Sequence, residues 1–195
     1  MTTPMTRLGA LHRAAISQAD PCAHFATLIT VDEQGQPASR IVTLRSLDEN
    51  GIALLVNAHS PKIRHWQANG KWELSGFWPA LMAQYRVRGA AELAQTEAVR
   101  RDWQAKPKAS RLADLYHQRM RPQSSALPSR QTLLSELAEL EAAWQDDVAA
   151  PPGVSRLLLK PEWLEISQAS PTDRLHDRRL HRLQDGGWTE ALLVP

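Results

Sequence analysis

Apolar side chains recur along this chain at two periods. Between His24 and Asn57 the period is two: "HFATLITV", "ASRIVTLRSLD" and "GIALLVN" are rich in β-branched and apolar residues, with "DEQGQP" and "DENG" between them as turn signals. That pattern predicts a β-meander. "KWELSGFWP" and "AQYRVRGAAELA" read as two further strands, the second alternating Tyr85 and Val87 against Arg86 and Arg88. "SRLLLKPEWLEISQ" and "HRLQDGGWTEALLVP" close the chain as strands, the last of them turning at Asp185-Gly186-Gly187.

Elsewhere the spacing is helical. Residues 7–18 place Leu8, Leu11, Ala15 and Ile16 on one stripe. After Asn57, Ser60 is placed to cap a helix whose first position is Pro61, with Asn69-Gly70 ending it. Residues 96–116 read as helical with one interruption at Pro107, and "SRQTLLSELAELEAAWQD" is the clearest helix, with Leu133, Leu137, Leu140 and Trp144 as its stripe and Ser129 as its cap. Six or seven strands and about four helices, without regular βα alternation, predict a mainly β fold: an antiparallel barrel with peripheral helices. The chain reads as a single domain over 1–195, with a helical segment at 1–20, a helical insertion at 96–147 and carboxyl-terminal strands at 155–195.

Composition narrows the partners. A formal net charge of +2 gives no reason to expect nucleic acid, while basic side chains cluster locally at Arg100-Arg101, Arg119 to Arg121 and Arg174 to Arg182. Such local clusters suit a small anion, such as a phosphate, better than a polyanion. Cys22 is the only cysteine, so an intrachain disulfide and a Cys-based structural metal site are both excluded. No membrane-length apolar run and no secretory signal pattern are seen, so the cytoplasm is the expected compartment and no membrane partner is expected.

Candidate chemistry sits in five places. In "SRIVTLR", Arg40 and Arg45 bracket an apolar strand, and period-two alternation puts Thr43 and Arg45 on one face. From spacing alone, arginines at strand ends that simply reach water are the favoured explanation. In "NAHSPKIRHW", a helix amino terminus carrying Ser60 and Lys62 could hold a phosphate, or could be an ordinary capped helix. His59 and His65 lack a third ligand nearby, so no metal site is expected. "YHQRMRPQSS" and "KPKAS" each gather polar and cationic donors that could equally be solvated. Finally, "RLHDR" (Arg174 to Arg178) packs cations, an imidazole and a carboxylate around one leucine.

Taken in order, "ATLITVDEQGQPASRIVTLR", "VNAHSPK", "FWPALMAQYRVRGAAEL", "QSS", "RLHDR" and the terminal "LLVP" resemble the pyridoxamine 5′-phosphate oxidase family, FMN-binding split β-barrels, from about Phe25 to Pro195. The resemblance implies a homodimer with FMN at the subunit interface. It implies flavin contacts from the strand Arg40, Ile41, Val42, Thr43, Leu44 and Arg45, and from Leu55, Val56, Ser60, Lys62, Gln84, Gln123, Ser124 and Arg178. Arg40 and Lys62 would take the flavin phosphate, and Gln123 and Ser124 would come from the other subunit. Arg174 and His176 would lie over the substrate ring as the catalytic pair, with Arg45, Lys106 and Ser110 around the substrate phosphate.

The implied reaction oxidises pyridoxamine or pyridoxine 5′-phosphate to pyridoxal 5′-phosphate, with O2 as acceptor. The alternatives are a related FMN-dependent oxidoreductase on another small anionic heteroaromatic molecule, as in the phenazine pathway, and a non-catalytic flavin or vitamer binder. Against the family pattern, Arg45 stands for a lysine, Pro61 for an arginine, Asp102 for a tyrosine, Lys106 for an arginine and Ser167 for a tryptophan.

Overall fold

The computed structural model describes residues 3–144, 148–170, 172 and 175–195. These residues include eight strands: β1 (Phe25–Val31), β2 (Pro37–Asp48), β3 (Gly51–Asn57), β4 (Trp72–Trp78), β5 (Ala83–Ala94), β6 (Val154–Ala169), β7 (His176–Gln184) and β8 (Gly187–Leu193). The helices are α1 (Pro4–Ser17), α2 (Pro61–Asn69), α3 (Glu97–Gln104), α4 (Lys108–Arg119) and α5 (Arg130–Ala142), with a 3-10 turn at Pro79–Leu81. The strand order is β3-β2-β1-β4-β5-β6-β7-β8, and an extra β3–β6 pairing closes the first six strands into an antiparallel barrel. The expected mainly β barrel with peripheral helices is therefore the fold.

Two compact units divide the chain. Residues 1–54, 65–92 and 158–195 form the first, and residues 55–64 and 93–157 form the second. In the first unit β1 lies between β2 and β4, with Thr27 opposite both Ile41 and Ser75. Inward positions carry the core: Leu28, Leu74, Tyr85, Val87, Leu164 and Ile166 are all buried. Trp78 packs at a tilt against Tyr85 with ring centroids 4.6 Å apart, and His12 of α1 stacks on Trp78 at 5.8 Å. A polar contact keeps His12 in this apolar setting, since its Nε2 lies 3.0 Å from the Ala23 carbonyl oxygen.

Glycine is required where backbones come closest. A Cβ on Gly89, whose φ is +157°, would lie 2.2 Å from the Lys160 carbonyl oxygen, and one on Gly76 would lie 2.3 Å from the Tyr85 ring. In the second unit Trp103 of α3 is fully buried with Val99 and Val154, and Leu55 packs against them.

Element ends depart from the sequence reading in instructive ways. Helix α1 starts at Pro4 instead of residue 7, because the Thr3 hydroxyl accepts from the Thr6 amide and Pro4 fills the first turn. The interruption at Pro107 is a full break between α3 and α4. Ser129 does cap α5, accepting from the Thr132 amide at 3.1 Å, yet none of that helix's residues is fully buried. Strand β7 starts at His176, five residues before the expected strand, and with β8 after the turn at Asp185 the described residues hold eight strands instead of six or seven.

Candidate functional site

Strand β2 alternates along most of its length. Ser39, Ile41 and Thr43 are exposed, while Arg40 and Val42 are half-buried and Leu44 is buried. Arg40 therefore sits on the inward row, and one of its terminal nitrogens donates to the Leu28 carbonyl at 3.0 Å and to the Thr30 hydroxyl at 2.8 Å. Thr30 Oγ1 in turn lies 3.2 Å from His65 Nδ1. Burial pushes the guanidinium's pKa down from its ordinary value. Both of these acceptors are neutral oxygens, so neither balances the Arg40 charge.

Arg45 is different. The register passes from Leu44↔Leu54 to Ser46↔Ala53, so Arg45 is the extra residue of a β-bulge. The strict alternation that would put Thr43 and Arg45 on one face is interrupted there. Its Nε is buried and has no hydrogen-bond partner among the described residues. A buried donor left unsatisfied is costly, which makes this atom a candidate to meet an acceptor from outside the chain. On β5, Gln84 is exposed and faces the exposed Phe77 of β4 in register.

The "RLHDR" stretch enters strand β7 at His176. Arg174 lies outside the described residues. His176 pairs in register with Ala169 and Arg178 with Ser167, so the side chains at 176 and 178 meet β6. The His176 Nδ1 atom is 2.9 Å from the Ser167 hydroxyl. Arg178 is held by Glu165, its Nε donating at 2.9 Å and a terminal nitrogen at 3.3 Å to the two carboxylate oxygens. Arg86 approaches the same carboxylate at 3.8 Å while also binding Glu73. Asp177 pairs with Arg179 and with Arg7 of α1. Glu165 is thus a buried hub, with a side chain 5% exposed.

In the second unit, Val56 is buried, Leu55 is half-buried, and Ser60 is completely buried ahead of α2. The Ser60 hydroxyl accepts from Lys62 Nζ at 3.0 Å, so a hydroxyl and an ammonium stand together at the amino end of α2. Lys106 Nζ donates to Asp114 of α4, and the same oxygen accepts from Trp103 Nε1 at 2.9 Å. Ser110 is half-buried, its amide bonded to the Pro107 carbonyl within the first turn of α4. Asp102 is answered by Arg156 at 3.3 Å.

Beyond α4, Gln123 is half-buried with its carbonyl oxygen enclosed and unpartnered among the described residues, and Ser124 is exposed with φ +68°. His117 lines a cavity of about 340 Å³ with Asn57, His59, Gln118, Gln123 and Gly153. Its pKa is pushed down, first by burial and also by Lys62 and Lys106, while Asp114 acts the other way.

Sequence reasoning missed Glu165, Asp114, Arg156 and His117. Their roles arise from cross-strand and cross-helix pairings. No cluster of three or more His, Cys, Asp or Glu side chains that could hold a metal occurs among the described residues. No helix among them is long and apolar enough to cross a membrane.

Six antiparallel strands closed by the β3–β6 pairing define a split-barrel protein. Residues 13–143 match the pyridoxamine 5′-phosphate oxidase family, and the chain belongs to it. It is 38% identical over 172 residues to the pyridoxine/pyridoxamine 5′-phosphate oxidase of Pseudomonas paraeruginosa (strain DSM 24068 / PA7), covering 87% of this chain and 77% of that one. The Ralstonia pickettii (strain 12J) protein of the same name is 38% identical over 170 residues, with 87% and 78% covered.

Among solved structures, the fold is shared with PhzG from Burkholderia lata 383 in complex with tetrahydrophenazine-1-carboxylic acid. The TM-score there is 0.88 at 23% identity, covering 100% of this chain and 94% of that one. It is shared too with a pyridoxamine 5′-phosphate oxidase-related, FMN-binding protein from Nostoc punctiforme PCC 73102, with a TM-score of 0.76 at 20% identity over 99% of this chain and 98% of that one.

Proposed function

We propose that this chain is an FMN-dependent oxidoreductase that oxidises a small heteroaromatic substrate and works as a homodimer. The residues present suit the coenzyme. Ser60 and Lys62 at the amino end of α2, with Arg40, offer the hydroxyl and cations that a flavin phosphate requires. Strand 40–45, Leu55, Val56 and Gln84 would line the ring system, with Gln123, Ser124 and Arg178 adding polar contacts. The enclosed, unpartnered Gln123 oxygen and the buried Arg45 Nε are the kind of atoms a bound ligand satisfies.

When bound, FMN supplies a two-electron acceptor, and dioxygen takes the electrons on as hydrogen peroxide. The chain's own task is orientation and proton handling. Ser167 fixes the ring of His176 through Nδ1, which leaves Nε2 to face a substrate group and move its proton. Glu165 holds Arg178 in place by two charge-assisted bonds. For an alcohol substrate the sum is alcohol plus dioxygen to aldehyde plus hydrogen peroxide. For an amine it is amine, water and dioxygen to aldehyde, ammonia and hydrogen peroxide.

Pyridoxine and pyridoxamine 5′-phosphate, the substrates in the relatives' names, are the first to test, with Arg45, Lys106 and Ser110 as the groups that would meet the phosphate. A second reading, oxidation of another heteroaromatic substrate as in the phenazine pathway, is favoured by one observation: Lys106 is already engaged by Asp114.

The observation that carries the catalytic proposal is the pairing of β7 with β6, which seats His176 and Arg178 on anchored partners. The test is hydrogen peroxide release by protein reconstituted with FMN. Arg174→Ala and His176→Ala are expected to lower turnover at least about 100-fold while FMN stays bound. Equal loss of flavin in both variants would overturn that division of roles.

A further inference from the structure

We infer that Thr30 and His65 are positioning residues for the coenzyme's phosphate and act through Arg40; the inference rests on the flavin-dependent reading above. All three residues belong to the first compact unit. One terminal nitrogen of Arg40, Nη1, donates to the Leu28 carbonyl at 3.0 Å and to the Thr30 hydroxyl at 2.8 Å. Both of its hydrogens are thereby used. No hydrogen bond or ion pair engages Nε or Nη2 among the described residues. Those two nitrogens form the edge of the guanidinium that matches two oxygens of one phosphate.

Thr30 decides which way that edge points. It is only 1% exposed, and its hydroxyl meets Arg40 Nη1 on one side and His65 Nδ1, at 3.2 Å, on the other. A guanidinium only donates, so the hydroxyl accepts from Arg40 and its own proton has His65 Nδ1 as acceptor. Leaving that proton unpaired in so closed a place would be costly. His65 therefore accepts at Nδ1 and carries its hydrogen on Nε2. Helix α2 delivers the ring: His65 and Asn69, four residues apart, share a helix face, and Asn69 Nδ2 donates to the carbonyl of Val31, the residue after Thr30, at 2.8 Å. A loose arginine gives up rotamer freedom when it meets an anion. Here that loss is taken on folding, so the phosphate meets a fork already aimed.

The experiment titrates the apoprotein with FMN and with riboflavin, which lacks the phosphate, and follows flavin fluorescence. Wild type is expected to prefer FMN at least about tenfold, and Arg40→Gln to lose most of that preference. Thr30→Val keeps the side-chain shape without the hydroxyl. It is expected to weaken FMN roughly tenfold and to leave riboflavin within about twofold, and Thr30→Ser to restore FMN binding. His65→Phe is expected to weaken FMN about threefold; His65→Asn, whose amide oxygen can stand in for Nδ1, is not. Should Thr30→Val fail to fold, the two His65 variants carry the comparison. Long-range nitrogen–proton NMR spectra of the apoprotein at mildly alkaline pH should show His65 with a bare Nδ1.

An undiminished FMN preference in folded Thr30→Val and His65→Phe, equal weakening of FMN and riboflavin, or a proton on His65 Nδ1 would overturn the inference and leave the flavin reading intact. A chain that binds neither flavin, or an Arg40→Gln variant with an unaltered preference for FMN, would remove the reading on which it rests.

Discussion

Replacing Glu165 by alanine gives a strong test of how the barrel holds its functional strand. The carboxylate accepts from Arg178 at 2.9 and 3.3 Å and has Arg86 at 3.8 Å. Removing one member of a fully buried ion pair costs roughly 3–5 kcal/mol, because the partner charge is left without compensation. Here the carboxylate is 5% exposed, but Arg178 and Arg86 are 34% and 30% exposed, so water can reach both guanidinium groups after the change. The expected loss is therefore about 2–3 kcal/mol. For a chain of this size that is a fall in Tm of roughly 4–12 °C.

Glu165→Gln keeps the volume and one acceptor and is expected to lose about half as much. Glu162→Ala, an exposed position on the same strand, should stay within about 0.5 kcal/mol of wild type. Differential scanning fluorimetry reads all three. A flavin titration should show FMN bound about tenfold more weakly by Glu165→Ala, since Arg178 loses its anchor. A Tm within about 1 °C of wild type together with unchanged FMN affinity would show that the Glu165 hub supports neither the sheet nor the site.

Three further outcomes are expected. Lys62→Ala should raise the Kd for FMN by roughly 10- to 100-fold, the loss of one charge-assisted contact, with little change in Tm; unchanged flavin affinity would remove Lys62 from the phosphate site. Gly76→Ala would place a Cβ 2.3 Å from the buried Tyr85 ring and should cost about 1–3 kcal/mol by overpacking, measured as the urea midpoint. Arg121, followed by Tyr116, holds the Glu136 carboxyl down at about 2 instead of its ordinary 4.5. A depressed carboxyl contributes stability above its unfolded pKa and loses it as pH falls, so Glu136→Gln should flatten the acid decline between pH 4.5 and about 2. An acid limb identical to wild type would count against that linkage.

The barrel was legible because its strands are short, apolar and separated by strong turn signals. "DEQGQP" and "DENG" mark the β1–β2 and β2–β3 connections where the chain does turn. What local pattern could not show was pairing. Lys106 reads as a free cation because its partner, Asp114, lies a helical turn and more beyond Pro107 and meets it only once α4 has formed. The first residues of β7 are polar and lack an apolar alternation, so only their register with Ala169 and Ser167 reveals a strand. The α5 stripe had the cleanest helical spacing in the chain, yet that helix buries no side chain fully. Periodicity reports local conformation, and the site depends on which distant residues the topology makes neighbours.

The bulge on β2 changes what kinds of sequence change position 45 can accept. Any side chain could be exchanged there without altering which neighbours the preceding residues point toward. Deleting a single residue, in contrast, would put the part of β2 that pairs with β1, Pro37 to Thr43, out of step with the part that pairs with β3, Ser46 to Asp48, so that one of the two ladders would have to shift register. A slip of the β1 ladder would swing Arg40 outward and drive Ile41 into the interior. The pairing of the strand at this point depends on its length and not on the identity of the side chain.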